Sequence, residues 1–385
     1  MARVTAMGVL YISHDGMLEP LGQSQALAYL ERLSAERPIH LISFEKRADW
    51  AGADPRERLR SRMRAAGIDW HPLRYHRHPP LLSTLWSMLA GTMLGLWLML
   101  RHRLRIVHAR SYVAGMMALA IKRMTGAKFV FDMRGFWVDE RVDGGLWPKD
   151  GRLYRIGKRC ERRLLLGADH VVSLTDAGAR ELRRFGYLAG RMPPVTVIPT
   201  CADLSRFAID ARVPSNDAGF TLGYVGSAGT WYLFDEVAKA VRIAMELRPG
   251  LRFRVVNRGE HDDIRHALSR AGVPIERVDL LSAEHAAIPS LMARMDAALF
   301  FIRPAFSKQA SAPTRLAEFL GCGVPCMGNA GVGDMAGILQ GEGVGVMIAD
   351  FEPMTIHSGL QRLFDLAAED GIAARCAEAA ARHFS

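Results

Sequence analysis

Short runs of β-branched and aromatic residues recur along the chain, and between them lie longer stretches whose apolar residues return every third or fourth position. Runs suited to strands fall at 8–13, 39–44, 70–75, 105–109, 128–133 and 170–174, with helical spacing over 23–35, 113–124 and 152–166. Strand–helix alternation of this kind predicts a parallel sheet with right-handed crossovers. It stops over 186–217, where Pro193, Pro194, Pro199 and Pro214 surround one short strand candidate at 195–198. It restarts with strands at 221–225, 252–257, 278–281, 297–301, 325–328 and 344–348 and closes on a helical stretch at 355–383. The expected fold is therefore α/β: two doubly wound domains, 1–190 and 217–385, joined by a linker over 191–216 and facing each other across a cleft. In open sheets of this type ligands sit beyond the carboxyl ends of the strands.

The chain's 385 residues are enough for two cores without disulfides. With 23% charged and 49% hydrophobic residues, it is neither a disordered chain nor a polytopic membrane protein. Cys160, Cys201, Cys322, Cys326 and Cys376 have no zinc-like spacing and fit a reducing cytoplasm. The first residues read as a buried strand without a cleavage site, so no signal peptide is expected. The net charge of +10 is concentrated: residues 101–163 hold 16 Lys and Arg against 6 Asp and Glu, and the remainder sums to zero. Such a patch suits an anionic membrane, a polyphosphate substrate or nucleic acid. No nucleic-acid-binding module accompanies it, so nucleic acid is not expected as a partner.

Residues 79–100 are uncharged, flanked by Arg77 and by Arg101, Arg103 and Arg105, and hold Gly91 and Gly95 at GxxxG spacing. Length and composition alone would permit a transmembrane helix. The strands on either side belong to one sheet, which favours a crossover helix, either buried or with its apolar face against lipid. In 152–165, Leu153, Ile156, Cys160 and Leu164 share one helical face, and Arg152, Arg155, Lys158, Arg159, Arg162 and Arg163 occupy the others, opposed by Glu161. A basic amphipathic helix of this type fits an anionic membrane surface.

Chemistry-bearing residues gather at the ends of the predicted strands. After the first strand, Gly22 and Gln23 stand where a helix begins, a place for a ligand to approach free N–H groups. His108 and Arg110 end one strand, and Asp132 and Arg134 open a loop, 134–145, that mixes carboxylates, arginines and aromatics too densely for packing alone. In the second half, Gly226 and Ser227 form a strand-to-helix turn able to cradle a diphosphate. Further on, Lys308 can neutralise phosphate, Ser311 or Thr314 can cap a short helix, and Glu318 can accept both hydroxyls of a ribose.

Through LEPLGQSQ, HARSY, FDMRGFWVDERVDGG, GSAGTWY and SKQASAPTRLAEFLGCGVP the chain resembles the family 4 glycosyltransferases over essentially its whole length. The resemblance is closest to bacterial members that build exopolysaccharide or other surface glycans. It implies the GT-B architecture of two Rossmann-like domains. It also implies retaining, metal-independent transfer from a nucleotide sugar carrying UDP or GDP, without a cofactor, to a lipid-linked or oligosaccharide acceptor. Glu318 matches the second glutamate of the family's Glu-x7-Glu motif, Gly22 the glycine of the first loop, and 278–280 the loop that brackets the base. Two positions depart from the pattern. Ala310 replaces the first glutamate, and the Arg and Lys pair after the first strand of the second domain is missing; Lys308 and Arg258 are expected to supply that charge.

The site expected from residues and resemblance together has Asp132, Arg134 and Lys308 for catalysis. Gly226, Ser227, Arg258, Val278, Ser311, Thr314 and Glu318 bind the donor, and Gly22, Gln23, His108 and Arg110 bind the acceptor. The expected location is the inner face of the cytoplasmic membrane, held peripherally through the region Arg101 to Arg163. The rivals are a nucleotide-sugar 2-epimerase and a catalytically silent nucleotide-binding homologue or partner protein.

Overall fold

The alternation read from the sequence becomes two all-parallel sheets. A computed structural model of the chain describes residues 7–209 and 219–385. The first six residues and 210–218, which include Pro214 and the end of the expected linker, lie outside the described residues. The first sheet contains β1 (Val9–Ser13), β2 (Ile39–Glu45), β3 (Ile68–Arg74), β4 (Ile106–Arg110), β5 (Lys128–Asp132), β6 (His170–Ser173) and β7 (Val195–Val197), in the order β3-β2-β1-β4-β5-β6-β7. The second contains β8 (Thr221–Val225), β9 (Arg252–Val256), β10 (Val278–Leu281), β11 (Ala297–Leu299), β12 (Cys326–Asn329) and β13 (Gly345–Ile348), in the order β10-β9-β8-β11-β12-β13. Each order reverses between its first and fourth strand, so the crevice that binds ligands in such sheets falls at the carboxyl ends of β1 and β4 in one unit and of β8 and β11 in the other.

The two units divide at Ile198 and Pro199. Residues 195–197, placed in the linker by the sequence, are the seventh strand of the first sheet, paired in parallel with β6. The prolines around this strand pointed to a linker, but an edge position is where a sheet tolerates them. Likewise the last helical stretch is two helices, Pro353–Ala367 and Ile372–Phe384, separated by Gly371 at φ +81°.

Helix Pro80–Arg101 is the crossover from β3 to β4. Its GxxxG pair faces the protein: a Cβ on Gly91 would meet Met117 Sδ at 2.6 Å, and one on Gly95 would meet Ile121 Cδ1 at 2.6 Å. The small residues thus let this helix sit closely on helix Ser111–Thr125 rather than on another membrane helix. Its other side is apolar and uncovered: Leu81, Leu82, Leu85, Trp86, Leu89, Met93, Trp97 and Leu100 are 52–74% exposed.

Helix Arg152–Gly167 corrects a second expectation. Leu153 and Ile156 are exposed while Leu164 on the same face is buried, and Glu161, read among the charged residues of the other faces, is fully buried beside Leu164 and Leu165. The cause is polar pairing: Tyr112 donates to Glu161 at 2.8 Å, and Lys158 forms an ion pair with it. All five cysteines are free thiols.

Candidate functional site

In the first unit the switch point gathers two buried charges. Arg110 ends β4 and Asp132 ends β5 in register with it, 3% and 4% exposed. Arg110 Nη1 is 3.8 Å from Asp132 Oδ2, and its Nε is 3.6 Å from Asp15 Oδ2. Arg110 also donates to the Gln25 side-chain oxygen at 3.0 Å and to its backbone carbonyl at 3.3 Å; Arg134 donates to the same side-chain oxygen at 3.2 Å. Asp132 Oδ1 is buried without a hydrogen-bond partner, leaving an acceptor to be satisfied from outside the protein. Burial lowers the Arg134 pKa, and Asp132 opposes that shift. Two non-glycine residues here adopt left-handed backbone, Ser111 at φ +69° and Arg134 at φ +56°, strain of a kind that gathers at functional sites.

Gln25 was missed by the sequence reading, which stopped at Gly22 and Gln23. It sits in a π-helical segment, Gln23–Leu27, a local widening common where side chains are aimed at ligands. Gly22 lies inside the preceding helix Pro20–Gly22 rather than before it, because Pro20 starts that helix. The Gln23 N–H is therefore already donated to Glu19 O. A Cβ on Gly22 would lie 2.1 Å from Gly16 O, so its bareness serves loop packing. Gln23 reaches Leu18 O at 3.4 Å. His108 stands in the middle of β4, not at its end, with its ring 4.8 Å from that of Tyr11. Burial lowers its pKa and pushes the Tyr11 hydroxyl up to about 12. The carboxylates of the loop after β5 divide by role. Asp139 accepts from Tyr154 at 3.0 Å and Lys158 at 2.9 Å, which ties helix Trp137–Asp143 to helix Arg152–Gly167. A cavity of about 190 Å³ beside the ends of β2 and β3, lined by Glu45, Trp50 and Arg74 among others, contains none of the expected residues.

In the second unit the turn after β8 is built as expected, with Gly226 at φ +146° and Thr230 at φ +57°. Its N–H groups are already engaged: Ala228 donates to the Glu260 carboxylate at 2.9 Å. Asn257 fixes that carboxylate by donating to it at 2.8 Å and to Gly226 O at 2.8 Å. Burial acts to raise the Glu260 pKa, but the hydrogen bonds from Asn257, Ala228, Gly229 and Ser227 outweigh it, and the net shift is downward. Arg258, in the same loop, is exposed and 3.7 Å from Glu284. Val278 is the first residue of β10, at the amino end of an edge strand, not in a loop at the carboxyl end. Its half-buried side chain packs on the sheet core, the place its β-branched shape favours.

Following β11, Lys308 lies in the 3-10 helix Phe306–Ala310 and is buried, its ammonium 3.7 Å from the centroid of the Trp231 ring. Two segments far apart in sequence, GSAGTWY and SKQASAPTR, therefore meet at one strand end. Ala310 is fully buried. Pro313 is the cap residue of helix Thr314–Gly321, with no side-chain cap, so neither Ser311 nor Thr314 plays that part. Ser311 instead ends the 3-10 helix, and Thr314 is the first residue of the α-helix. Glu318 is 4% exposed and ion-paired with Arg315; burial raises its pKa, with Arg315 and Arg206 pulling the other way.

Residues 27–201 match the family model for a glycosyl transferase 4-like domain. No protein of curated function matches the sequence. Among solved structures the chain is similar to HepE of Anabaena in complex with UDP and glucose, at 15% identity over 98% of this chain and 96% of that one, with a TM-score of 0.66. It is similar to sucrose-phosphate synthase from Thermosynechococcus elongatus, at 14% identity over 98% and 95% of the two chains, TM-score 0.70. The lipopolysaccharide outer core galactosyltransferase WaaB in its apo form gives 12% identity over 98% and 96%, TM-score 0.66. At such identities the likeness is one of fold, the two-domain GT-B architecture.

Proposed function

We propose that this chain, which belongs to the family 4 glycosyltransferases through its domain at 27–201 and its GT-B fold, moves a sugar with retention from a UDP- or GDP-sugar to a lipid-linked or oligosaccharide acceptor of surface polysaccharide synthesis. The observation that carries the reading is the grouping after β8 and β11 of Trp231, Lys308, Arg315 and the buried Glu318, a carboxylate and cations at the strand ends where such a sheet binds ligand. HepE, which shares the fold, has been crystallised with UDP-glucose. In this reading Glu318 accepts the ribose hydroxyls. Lys308 and Arg258, with Gly226, Ser227, Ser311 and Thr314, surround the diphosphate, and Val278 stays in the core. Arg110, Arg134, Asp132 and Gln25 hold the acceptor, and Gly22, Gln23 and His108 support their loop.

The bond broken joins the anomeric carbon to the β-phosphate oxygen. The acceptor hydroxyl supplies the new bond, and its proton passes to the departing phosphate on the same face. Positive charge at the diphosphate stabilises the leaving group as charge develops. The transfer needs no divalent ion, and activity that survives chelation is the expected result.

The uncovered face of helix Pro80–Arg101 is assigned to an anionic bilayer surface at the inner side of the cytoplasmic membrane. Exposed Arg77, Arg101, Arg103 and Arg105 at its ends, and exposed Arg152, Arg155 and Arg159 around Leu153 and Ile156, complement acidic headgroups. Nucleic acid is no partner in this reading, and salt-titrated polymer binding tests that separately.

Calorimetric titration of UDP and of GDP into wild type and Glu318→Ala tests the donor site. Binding of one nucleotide that the variant loses is expected; equal binding by both proteins sinks the assignment. The silent-homologue reading is favoured by one observation, the Glu260 carboxylate seated on the turn expected to hold diphosphate. Nucleotide binding without turnover of any donor, in the presence of membrane lipid acceptors, would decide for it.

A further inference from the structure

A group of imidazoles lies at the opposite end of the first sheet from the residues above. His40 and Asp69 are the second residues of β2 and β3 and are register partners, His71 follows on the same face of β3, and His102 comes directly after helix Pro80–Arg101. His40 Nδ1 is 3.1 Å from Asp69 Oδ2, and His71 Nε2 is 3.2 Å from the same oxygen. The His40 and His102 ring centroids are 4.1 Å apart. One ligand atom from each of His40, Asp69 and His102 falls within 4.8 Å of the others.

Simple pairing does not account for this cluster. His40 is 8% exposed, and neither its Nδ1 nor His71 Nε2 is aligned on a hydrogen-bond partner, although Asp69 is near both. Protonating the imidazoles would crowd like charges at ring distances of 4.1 and 5.8 Å around one carboxylate. A divalent ion satisfies the inward nitrogen and the carboxylate at once. Bonds of about 2.0–2.1 Å in a tetrahedral site separate ligand atoms by about 3.3 Å, close to the spacing already present between His40 and Asp69. His102 is exposed at a helix end, so its ring closes the remaining distance by side-chain rotation.

We propose that His40, Asp69 and His102 bind one divalent transition ion of the zinc class, with water as fourth ligand, clasping the end of helix Pro80–Arg101 to the amino ends of β2 and β3. His71, 3.2 Å from the same oxygen, helps to orient the carboxylate. The site lies away from the carboxyl ends of the strands, so its ion takes no part in sugar transfer. The apolar helix is held along its middle by close packing at Gly91 and Gly95 and at its carboxyl end by this clasp.

The test is calorimetric titration of Zn²⁺ alone into the chelator-treated full chain, comparing wild type, His102→Gln, Asp69→Asn and, as a control on an exposed histidine elsewhere, His266→Gln. All three substituted residues are exposed, so folding survives, and circular dichroism verifies it. One equivalent bound by wild type and by the control is expected, with affinity lower by about 100-fold or more in His102→Gln and Asp69→Asn, beyond the loss of an outer partner. Co²⁺ should give the intense visible bands of a four-coordinate site in wild type only, and Zn²⁺ should raise Tm in wild type but not in His102→Gln. Absence of stoichiometric binding, or unchanged affinity in His102→Gln, overturns the proposal. Neither result bears on the donor site, which is read by nucleotide titration.

Discussion

Replacing Trp86 and Met93 together by glutamine should release the protein from anionic vesicles without loosening the fold. The two side chains lie on the uncovered face of helix Pro80–Arg101 and are 58% and 63% exposed. Taking about 200–250 Å² for a large side chain, they present together about 260 Å², worth about 6.5 kcal/mol if moved wholly into hydrocarbon at about 25 cal/mol per Å². A helix lying in the headgroup boundary immerses about half of that, so the double variant should lose about 3 kcal/mol, or about 100-fold in partition coefficient. The assay is co-sedimentation with vesicles containing acidic lipid, repeated at raised salt and with neutral vesicles. Exposed substitutions of this kind change stability by about 0.5 kcal/mol or less, so Tm should hold. The arginines at the helix ends act differently, at about 1 kcal/mol each near an acidic surface, and their contribution should fade with salt while that of the apolar face persists. Unchanged partition of the double variant, or a fall in Tm matching the loss of binding, would refute the reasoning, the second because it would mean that these residues hold the domain together.

Four further outcomes follow from the site. Because burial raises the Glu318 pKa and ribose recognition needs the ionised carboxylate, nucleotide affinity should fall with acid at pH values above the ordinary 4.5 of a glutamate; Glu318→Gln should flatten that limb in calorimetry. Gly22→Ala places a Cβ 2.1 Å from Gly16 O and should cost about 3 kcal/mol or more in denaturant unfolding, whereas Gly186→Ala, with nothing within 4 Å, should be near neutral. Asp132→Asn should slow transfer while leaving nucleotide affinity intact, since its carboxylate belongs to the first unit; lost nucleotide binding would contradict this. Glu260→Ala frees the Ala228 N–H and should tighten diphosphate binding by about ten-fold, the scale of one hydrogen bond to a charged group.

The fold was legible because hydrophobic period is a local property. The apolar runs at 39–44 and 128–133 fit interior strands, and both are interior, the first buried along its whole length. Where the period failed, a second physical cause was at work. Residues 195–197 read as a strand but within a linker, because the prolines around them, which a sheet edge tolerates, also mark linkers. Glu161, read among the charged faces of its helix, is buried because it pairs with Tyr112, 49 positions earlier in sequence. No periodicity can register a polar contact at that separation. The GxxxG pair was ambiguous for the same reason: spacing shows that a backbone approaches closely, and only the fold shows that the approaching side chains are Met117 and Ile121.

At the site the limit is sharper, because residue type announces a charge but not what that charge is used for. Lys308 and Glu318 are singled out by residue type and spacing, yet spacing does not show that an aromatic ring from the first loop of the same domain lies 3.7 Å from the Lys308 ammonium. Gln25 carries no charge, and although it closes the LEPLGQSQ segment only the fold shows that it is the group on which Arg110 and Arg134 converge. Glu260 was invisible because anion-binding turns are recognised by what they lack, side chains, and not by what fills them. Its carboxylate satisfies N–H donors of Ala228 and Gly229 that would otherwise be left to water. A diphosphate at that turn must therefore exchange one anion for another, and affinity there measures the difference between two sets of hydrogen bonds rather than the strength of one.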